Sequence, residues 1–325
     1  MTPLHYRSIA STDVNDHAAS LSRWDQQYDQ VSPGRFAGRL EELWLGPLQV
    51  FRERTELAVL QRGTPGPGTL TLATPVGDAG AGWFCGRALQ CGMAFGLAGG
   101  EFELATRGRF DIVAACVDRE VLDRWSQQVD GRPFVATLAH NGLVDTTTGP
   151  GAALRELLLA ALAAGRDSPL ALAQPAQRER LADSLCGLLI DRLGRPQPPD
   201  GAGEITATTR QRVVREARRL MAEQAEHAEQ PISVPELCAA LHVSRRTLQY
   251  AFQDVLQMSP VSYLRALRLN GVRRDLRRGG DEPVADHAAR WGFWHLSRFA
   301  ADYRYLFGEL PSQTLRGARG LAPPH

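Results

Sequence analysis

The stretch ISVPELCAALHVSRRTLQYAFQDVL, residues 232–256, predicts two helices joined by a short turn. Ser233 is followed by Glu236 at the spacing of a capping box, so the first helix is expected to begin at Val234. The turn HVS comes next, and Ser244 is a suitable N-cap for the second helix. Apolar residues recur at helical spacing on both helices, which predicts one buried face on each. The pattern is that of a helix-turn-helix.

A similar layout returns in EPVADHAARWGFWHLSRFAADYRYLF, residues 282–307. Gly292 suits the positive φ at which many helices end. After the turn FWH, the spacing predicts a helix from about Leu296 to Phe307 that buries Phe299 and Tyr303. The His and Ser of HLSRF would lie at the start of this exposed helix, where nothing orients them as a catalytic triad requires.

A third helical stretch, SPVSYLRALRLNGVRRDLRRG at residues 259–279, connects the two units. Ser259 is a predicted N-cap, and Pro260 is tolerated in the first turn. Such a rigid connector could hold two recognition helices about one DNA turn (roughly 34 Å) apart, so that they read adjacent major grooves. Phosphate contacts, or simple solvation, are expected for its arginines Arg265, Arg268, Arg273, Arg274, Arg277 and Arg278.

The second helix of each unit carries the candidate DNA contacts, because a helix-turn-helix places this helix in the major groove. Arg can pair with guanine and Gln with adenine. The candidates in the first unit are Arg245, Arg246, Thr247, Gln249 and Tyr250, and those in the second are His295, Leu296, Ser297, Arg298, Ala301 and Arg304. A single stretch of this kind also fits an ordinary helical hairpin with a solvated basic face. The presence of a second unit favours the DNA interpretation.

These motifs resemble the DNA-binding domain of the AraC/XylS family of bacterial transcription regulators, over roughly residues 206–319. The resemblance rests on LHVSRRTLQYAFQ, SPVSYLRALRLNGVRRDL and GFWHLSRFAADYRYLFGELPSQTL. The family pattern in the last of these matches Gly292–Phe293, Phe299, Tyr303, Phe307–Gly308 and Pro311–Ser312. The base-contacting positions that the resemblance implies are Arg246, Gln249 and Tyr250 in the first unit and Leu296, Ser297, Arg298 and Ala301 in the second.

The sequence departs from the family pattern at two places. Leu296 and Ala301 offer no side-chain hydrogen bond, so the second unit is expected to read less sequence directly than the first. One residue is extra between Pro311–Ser312 and the closing Arg316. The family pattern therefore does not decide how the last helix forms.

The charge distribution also favours a polyanionic partner. The net charge of the 325 residues is only +1, yet residues 204–325 hold 18 arginines against 13 acidic residues, and the remainder is acidic. Every basic residue among the 37 is arginine, whose planar fork suits phosphate and guanine; base composition of the genome is the plainer explanation for the absence of lysine.

The sequence predicts an α+β protein with two domains. Residues 1–193 are expected to form an effector-sensing and dimerisation domain, β-rich over 36–117 and helical over 118–193. The Pro- and Gly-rich residues 194–203 are a predicted linker. Residues 204–325 form the predicted DNA-binding domain, with helix-turn-helix units at about 232–254 and 283–307.

The β-rich block resembles the cupin-like sensor barrel of the same family, most closely in the group that includes the ethanolamine-utilisation regulator. It contains no histidine over residues 36–117, so a cupin metal site is not expected. Trp44, Phe51, Trp83 and Phe84 are candidate effector-lining residues, with plain core packing as the alternative. The apolar helices at residues 152–193 are expected either to form a dimer interface or to pack on their own barrel.

The function that the sequence predicts is a DNA-binding transcription regulator, not an enzyme, with no cofactor and no metal. Its expected partners are promoter DNA, a second copy of the chain, a small-molecule effector and, for an activator, RNA polymerase. The alternatives are a helical protein-interaction module without a DNA role, or an enzyme fused to such a domain. The first residues lack the apolar core of a signal peptide and the five cysteines lack metal spacing, so a cytoplasmic protein without membrane contact is expected.

Overall fold

The computed structural model describes residues 5–77, 82–85, 87–89, 93–135, 141–145, 150–194, 209–227 and 232–320. The chain divides into two compact units. One consists of Met1–Tyr28 and Ala37–Glu204, and the other of Asp29–Phe36 and Ile205–His325. Apart from Gly194, the predicted linker lies outside the described residues.

Twelve described strands form two sheets in the first unit, except that the last two residues of the second strand belong to the second unit. The strands are β1 (His5–Ser11), β2 (Asp25–Gln30), β3 (Gly38–Leu45), β4 (Leu48–Thr55), β5 (Val59–Thr64), β6 (Thr69–Pro75), β7 (Gly82–Phe84), β8 (Arg87–Leu89), β9 (Met93–Leu97), β10 (Phe102–Thr106), β11 (Phe110–Asp118) and β12 (Gly142–Asp145). One sheet has the order β1-β3-β4-β11-β6-β9-β12 and the other the order β2-β5-β10-β7-β8. Among the described strands, no ladder joins the two sheets into a closed barrel.

The centre of the larger sheet is covered on both faces. β11 pairs with β4 and β6, with Val113 opposite Arg52 and Thr74. Its sequence FDIVAACVD is apolar almost throughout and is buried up to its last residue, as expected for a strand between two layers. One apolar cluster, which includes Phe51, Phe84 and Phe102, draws residues from both sheets.

The other apolar cluster joins the larger sheet to helices of the same chain. The helices of this unit are α1 (Val14–Ala19), α2 (Arg119–Asp130), α3 (Pro150–Asp167), α4 (Pro169–Ala173) and α5 (Pro175–Gly194). Leu158 of α3 and Leu189 of α5 are buried in one cluster with Leu43 and Val50 of the sheet. The helices at 152–193 therefore pack on their own sheet, and their role in a dimer stays a prediction.

The second unit is helical, and the α+β class predicted for the chain is confirmed. Its described helices are α6 (Thr209–His227), α7 (Val234–Ala240), α8 (Arg245–Leu256), α9 (Pro260–Arg278), α10 (Val284–Arg290), α11 (Leu296–Phe307) and α12 (Pro311–Ala318). Both predicted helix-turn-helix pairs form, as α7–α8 and α10–α11. The capping box of Ser233 and Glu236 is present, and the Ser244 side chain accepts from the backbone N–H of Thr247 at 3.0 Å.

The connector α9 is the central element of this unit. Its 19 residues correspond to a length of about 28 Å at 1.5 Å per residue. Leu269, Val272 and Leu276 are buried with the aromatic side chains of α11, and Tyr263 packs edge-on against Phe252 of α8 at 5.6 Å. Gly271 is required here, because a Cβ atom at this position would overlap the ring of Trp291.

Candidate nucleic-acid interface

Helix α8 separates its apolar face from its candidate contacts. Leu248 and Phe252 are fully buried. The five candidates on this helix are all exposed: Arg245, Arg246, Thr247, Gln249 and Tyr250. The arrangement leaves a polar, cationic outer face on the helix that follows the turn, which is where a helix-turn-helix presents base-reading side chains.

Arg246 and Tyr250 form a pair on this outer face, one helical turn apart. The Arg246 guanidinium donates to the Tyr250 hydroxyl at 3.2 Å, and its central carbon lies 5.3 Å from the centre of the Tyr250 ring. The contact holds the guanidinium in one region of the surface, which reduces the side-chain entropy lost on binding. Thr247 is instead tied to the helix start, because its Oγ1 lies 2.8 Å from Oγ of Ser244.

Helix α11 shows the same division, built on a row of aromatic rings. Phe293, Phe299, Tyr303 and Phe307 follow one another with ring centroids 5.1, 5.7 and 4.6 Å apart. The six candidates of this unit are all exposed: His295, Leu296, Ser297, Arg298, Ala301 and Arg304. The outer face is less polar than that of α8, because Leu296 is 48% exposed and Ala301 adds a methyl group.

The turn before α11 presents an indole that is not among the contacts predicted from the sequence. Gly292 adopts φ +77°, as expected for the end of α10. Trp294, two residues later, is 76% exposed. It lines an open groove of about 380 Å³ together with Arg265, Arg268 and Arg298. An aromatic residue within the turn of a helix-turn-helix is the signal that could have identified it.

The arginines of α9 do not all face solvent, and the prediction of phosphate contact is wrong for Arg273. This side chain is buried, pairs with Glu309 at 2.8 Å and lies over the ring of Phe307. Arg274 forms an ion pair with Asp29. Arg268 is partly buried and donates to the carbonyl of Ile232 at 2.9 Å. The buried guanidinium of Arg273 therefore stabilises the fold of the helical unit.

Tyr303 lies at the centre of this network. Its hydroxyl accepts from Arg273 at 3.3 Å and lies 2.9 Å from Oγ1 of Thr314. Burial raises the pKa of Tyr303 to about 12, although Arg273 acts in the opposite direction. The phenol therefore stays protonated in the folded chain at pH values where an exposed tyrosine ionises.

This shift predicts a loss of stability at alkaline pH. Below pH 10 the tyrosine is neutral in both the folded and the unfolded chain, whereas between pH 10 and 12 the unfolded chain releases its proton first. Unfolding of the helical unit should therefore become easier by about 1 kcal/mol between pH 10 and 11 through this residue. Urea unfolding of the Tyr303→Phe variant should lack this part of the pH dependence, and Tyr305→Phe, at an exposed site on the same helix, should retain it. Equal slopes in all three proteins would contradict the assignment.

The four candidate effector residues of the first unit lie in different surroundings. Phe51 lines a cavity together with Trp24, Glu53 and Gln61. Phe84 stacks on Phe95 at 4.6 Å. Trp83 lies under the Arg107 guanidinium, and the Trp44 indole donates to Glu42 at 3.2 Å.

The cavity itself is almost filled. Its free volume is about 10 Å³, the space of a single water molecule. The carboxylate of Glu53 forms part of the cavity wall. It accepts a hydrogen bond from the hydroxyl of the buried Tyr28 at 2.6 Å and lies 3.1 Å from Nε2 of His17. A ligand would have to displace side chains to enter between the sheets.

Within the described part of the chain, no group of three or more His, Cys, Asp or Glu side chains could hold a metal ion. The four described cysteines, Cys85, Cys116, Cys186 and Cys238, are free thiols. None of the helices described is long and apolar enough to cross a membrane.

Comparison with known proteins identifies the helical unit. A helix-turn-helix domain model matches residues 237–317. The probable thc operon regulatory protein of Rhodococcus erythropolis is 41% identical over 92 residues, 28% of each chain. The XylDLEGF operon transcriptional activator of Pseudomonas putida is 36% identical over 93 residues, 28% of this chain and 29% of the relative. The crystal structure of a probable AraC family transcriptional regulator from Rhodopseudomonas palustris is 32% identical over 33% of this chain and 97% of its own, with a TM-score of 0.30.

These matches concern one part of the chain. The alignments span less than a third of the length of the two curated relatives. Both curated relatives are named as operon regulators, and the matched model is a helix-turn-helix domain. The matched region begins within α7 and ends in the last turn of α12, so it includes both recognition helices, α8 and α11. Residues 237–317 of this chain therefore form a helix-turn-helix domain of the AraC type, similar to the corresponding regions of these transcription regulators.

Proposed function

We propose that the whole chain is a sequence-specific transcription regulator whose recognition helices α8 and α11 read adjacent major grooves of promoter DNA. The observation that carries the proposal is the separation of faces on these two helices. On each of them one apolar row is buried, with Leu248 and Phe252 on α8 and Phe299 and Tyr303 on α11, and every candidate contact is exposed. The DNA-binding domain corresponds to residues 204–325 and the sensor to residues 1–193.

Side-chain chemistry supports unequal roles for the two helices. The first offers Arg246 and Gln249, which suit guanine and adenine, and Arg246 is already oriented by Tyr250. The second offers Arg298 and Ser297 beside the apolar Leu296, which suits contact with a thymine methyl group. Arg265 and the exposed Trp294 border the groove next to α11, where they would meet the DNA backbone.

The sensor and the relatives support three further partners as proposals. A small-molecule effector would bind between the two sheets by displacing side chains around the small cavity that Phe51 and Glu53 line. The Pseudomonas putida relative is named a transcriptional activator, which favours activation and hence RNA polymerase as a partner. A homodimer would place two such domains on two DNA sites.

Thermal shift of the full chain against a metabolite panel will report an effector, since ligand at 100 times its Kd adds about 2.7 kcal/mol of stability.

In vitro selection tests the proposal directly. The full chain, incubated with a random pool of duplex DNA, should enrich a motif with two conserved blocks whose centres lie about 10 base pairs apart. The block read by α8 should be the more sharply defined. Failure to enrich any motif, with retention of the pool as a whole, would contradict sequence-specific recognition and favour a helical module without a DNA role.

A further inference from the structure

The helical unit includes a segment from far upstream in the sequence, Asp29–Phe36. The segment begins with the last residues of β2 and ends before β3. These two strands belong to different sheets, β2 to the five-stranded sheet and β3 to the seven-stranded sheet. The segment is therefore bonded covalently to both layers of the first unit.

The side chain of Asn270, in the middle of α9, holds the backbone of this segment. The N–H of Gln30 donates to Asn270 Oδ1 at 2.9 Å, and Asn270 Nδ2 donates to the Gln30 carbonyl at 2.8 Å. One amide side chain thus pairs with both backbone groups of one residue, as a neighbouring strand would. Gln30 and Asn270 are both 1% exposed, so neither could find water as a substitute partner.

The segment also caps the end of the second recognition helix. The carbonyl of Leu306, in the last turn of α11, accepts from Gln30 Nε2 at 2.6 Å and from the backbone N–H of Gly34 at 3.0 Å. Carbonyls in the last turn of a helix lack a partner within the helix. The same Gln30 amide donates to the carbonyls of Ser32 and Gly34 at 2.9 and 2.8 Å, which fixes the turn of the segment.

Charge and apolar contacts complete the docking. The buried carboxylate of Asp29 pairs with Arg274 of α9. Val31 packs on the apolar cluster that contains Phe299 and Phe307. The segment thus contacts the unit through a buried amide, an ion pair, a helix-end carbonyl and an apolar side chain.

We propose that Asn270, Arg274 and the last turn of α11 form a peptide-binding site whose occupant is the chain's own segment 29–36, and that its occupancy holds the second recognition helix in place for DNA binding. The segment caps the C-terminal end of α11, whereas Leu296, Ser297 and Arg298 are exposed at its N-terminal end. Docking therefore orders the helix and leaves these candidate contacts uncovered. A shift of β2 or β3 would reach α11 through the segment, which gives an effector a route to the DNA-binding surface. The effect on DNA rests on the proposed function.

The Gln30→Glu variant of the full chain tests this site. The substitution keeps the shape of the side chain but turns a carboxylate oxygen toward three carbonyl oxygens. Amide hydrogen exchange in the last turn of α11 should become about tenfold faster, and affinity for the selected two-block DNA should fall about tenfold. Affinity for DNA whose second block is scrambled should not change. The control Gln177→Glu makes the same charge change on the exposed face of α5 and should alter none of these values.

Each outcome decides part of the proposal. Unchanged exchange in α11 would overturn the peptide-binding site. Faster exchange with unchanged affinity for the two-block DNA would overturn its role in DNA binding. Amide hydrogen exchange is measured without DNA, so it tests the peptide-binding site independently of the proposed function. A wild-type chain that binds no DNA would refute the proposed function, and the exchange rates would still decide whether the site exists. Asp29→Asn, which removes the ion pair with Arg274 and keeps the volume, is expected to shift both readouts in the same direction and replaces Gln30→Glu if that variant does not fold.

Discussion

Replacing Phe299 with alanine is expected to lower the free energy of unfolding of the helical unit by about 3–5 kcal/mol. Phe299 is 2% exposed and lies between Phe293 and Tyr303 in the aromatic row of α11. Its removal leaves a cavity that the rigid rings on either side fill poorly. The variant therefore loses the free energy of burying the Phe299 ring and also the van der Waals contacts around the cavity. Urea unfolding, followed by the fluorescence of the tryptophans near α11, measures the change.

Leu296→Ala on the same helix is the matched control. Leu296 is also apolar, but it is 48% exposed, so its truncation should change the free energy of unfolding by no more than about 0.5 kcal/mol. A large loss at Leu296 together with a small loss at Phe299 would reverse the assignment of inner and outer faces of α11.

Arg246→Ala is expected to weaken binding to the selected DNA by about 1–3 kcal/mol, which is about 5- to 150-fold, and to relax the base preference at one position. The guanidinium is exposed, oriented by Tyr250 and located near the start of α8. A fork of two parallel N–H groups on guanine is lost when the side chain is truncated. Fluorescence anisotropy with the cognate fragment and with all four bases at the affected position measures both effects.

Arg246→Lys separates base reading from charge. Lysine keeps the positive charge but lacks the planar fork, so binding to random DNA should stay near the wild-type value while the cognate fragment loses most of its advantage. An equal loss on cognate and random DNA in the alanine variant would contradict base reading and assign Arg246 to the phosphate backbone.

The helix-turn-helix units could be predicted because their signals are local. The capping box of Ser233 and Glu236, the N-cap Ser244 and the positive φ of Gly292 each depend on a few neighbouring residues. The division of α8 and α11 into inner and outer faces follows from helical periodicity alone. For this reason all the candidate contacts on the two helices are exposed as expected.

Other features depend on partners that are distant in sequence. Arginine is usually a surface residue, so the sequence alone does not predict that Arg273 is buried. Its partners Glu309 and Phe307 are close to it only in the folded chain. The pairing of Gln30 with Asn270 joins residues 240 positions apart, and nothing in the sequence near Gln30 predicts it. The four effector residues stay a prediction, since burial of an aromatic ring does not distinguish a ligand-lining residue from a core residue.

The salt dependence of DNA binding by the full chain shows whether the protein binds the phosphate backbone of duplex DNA as a transcription regulator does. A protein that covers two major grooves and contacts 6–10 phosphates should lose about 10³- to 10⁵-fold in affinity between 50 and 200 mM salt, because binding releases condensed counterions. We expect a linear fall of the logarithm of the binding constant with the logarithm of the salt concentration, on both selected and random DNA, with a tighter constant for the selected sequence. Binding that is weak and independent of salt on both DNAs would contradict this expectation.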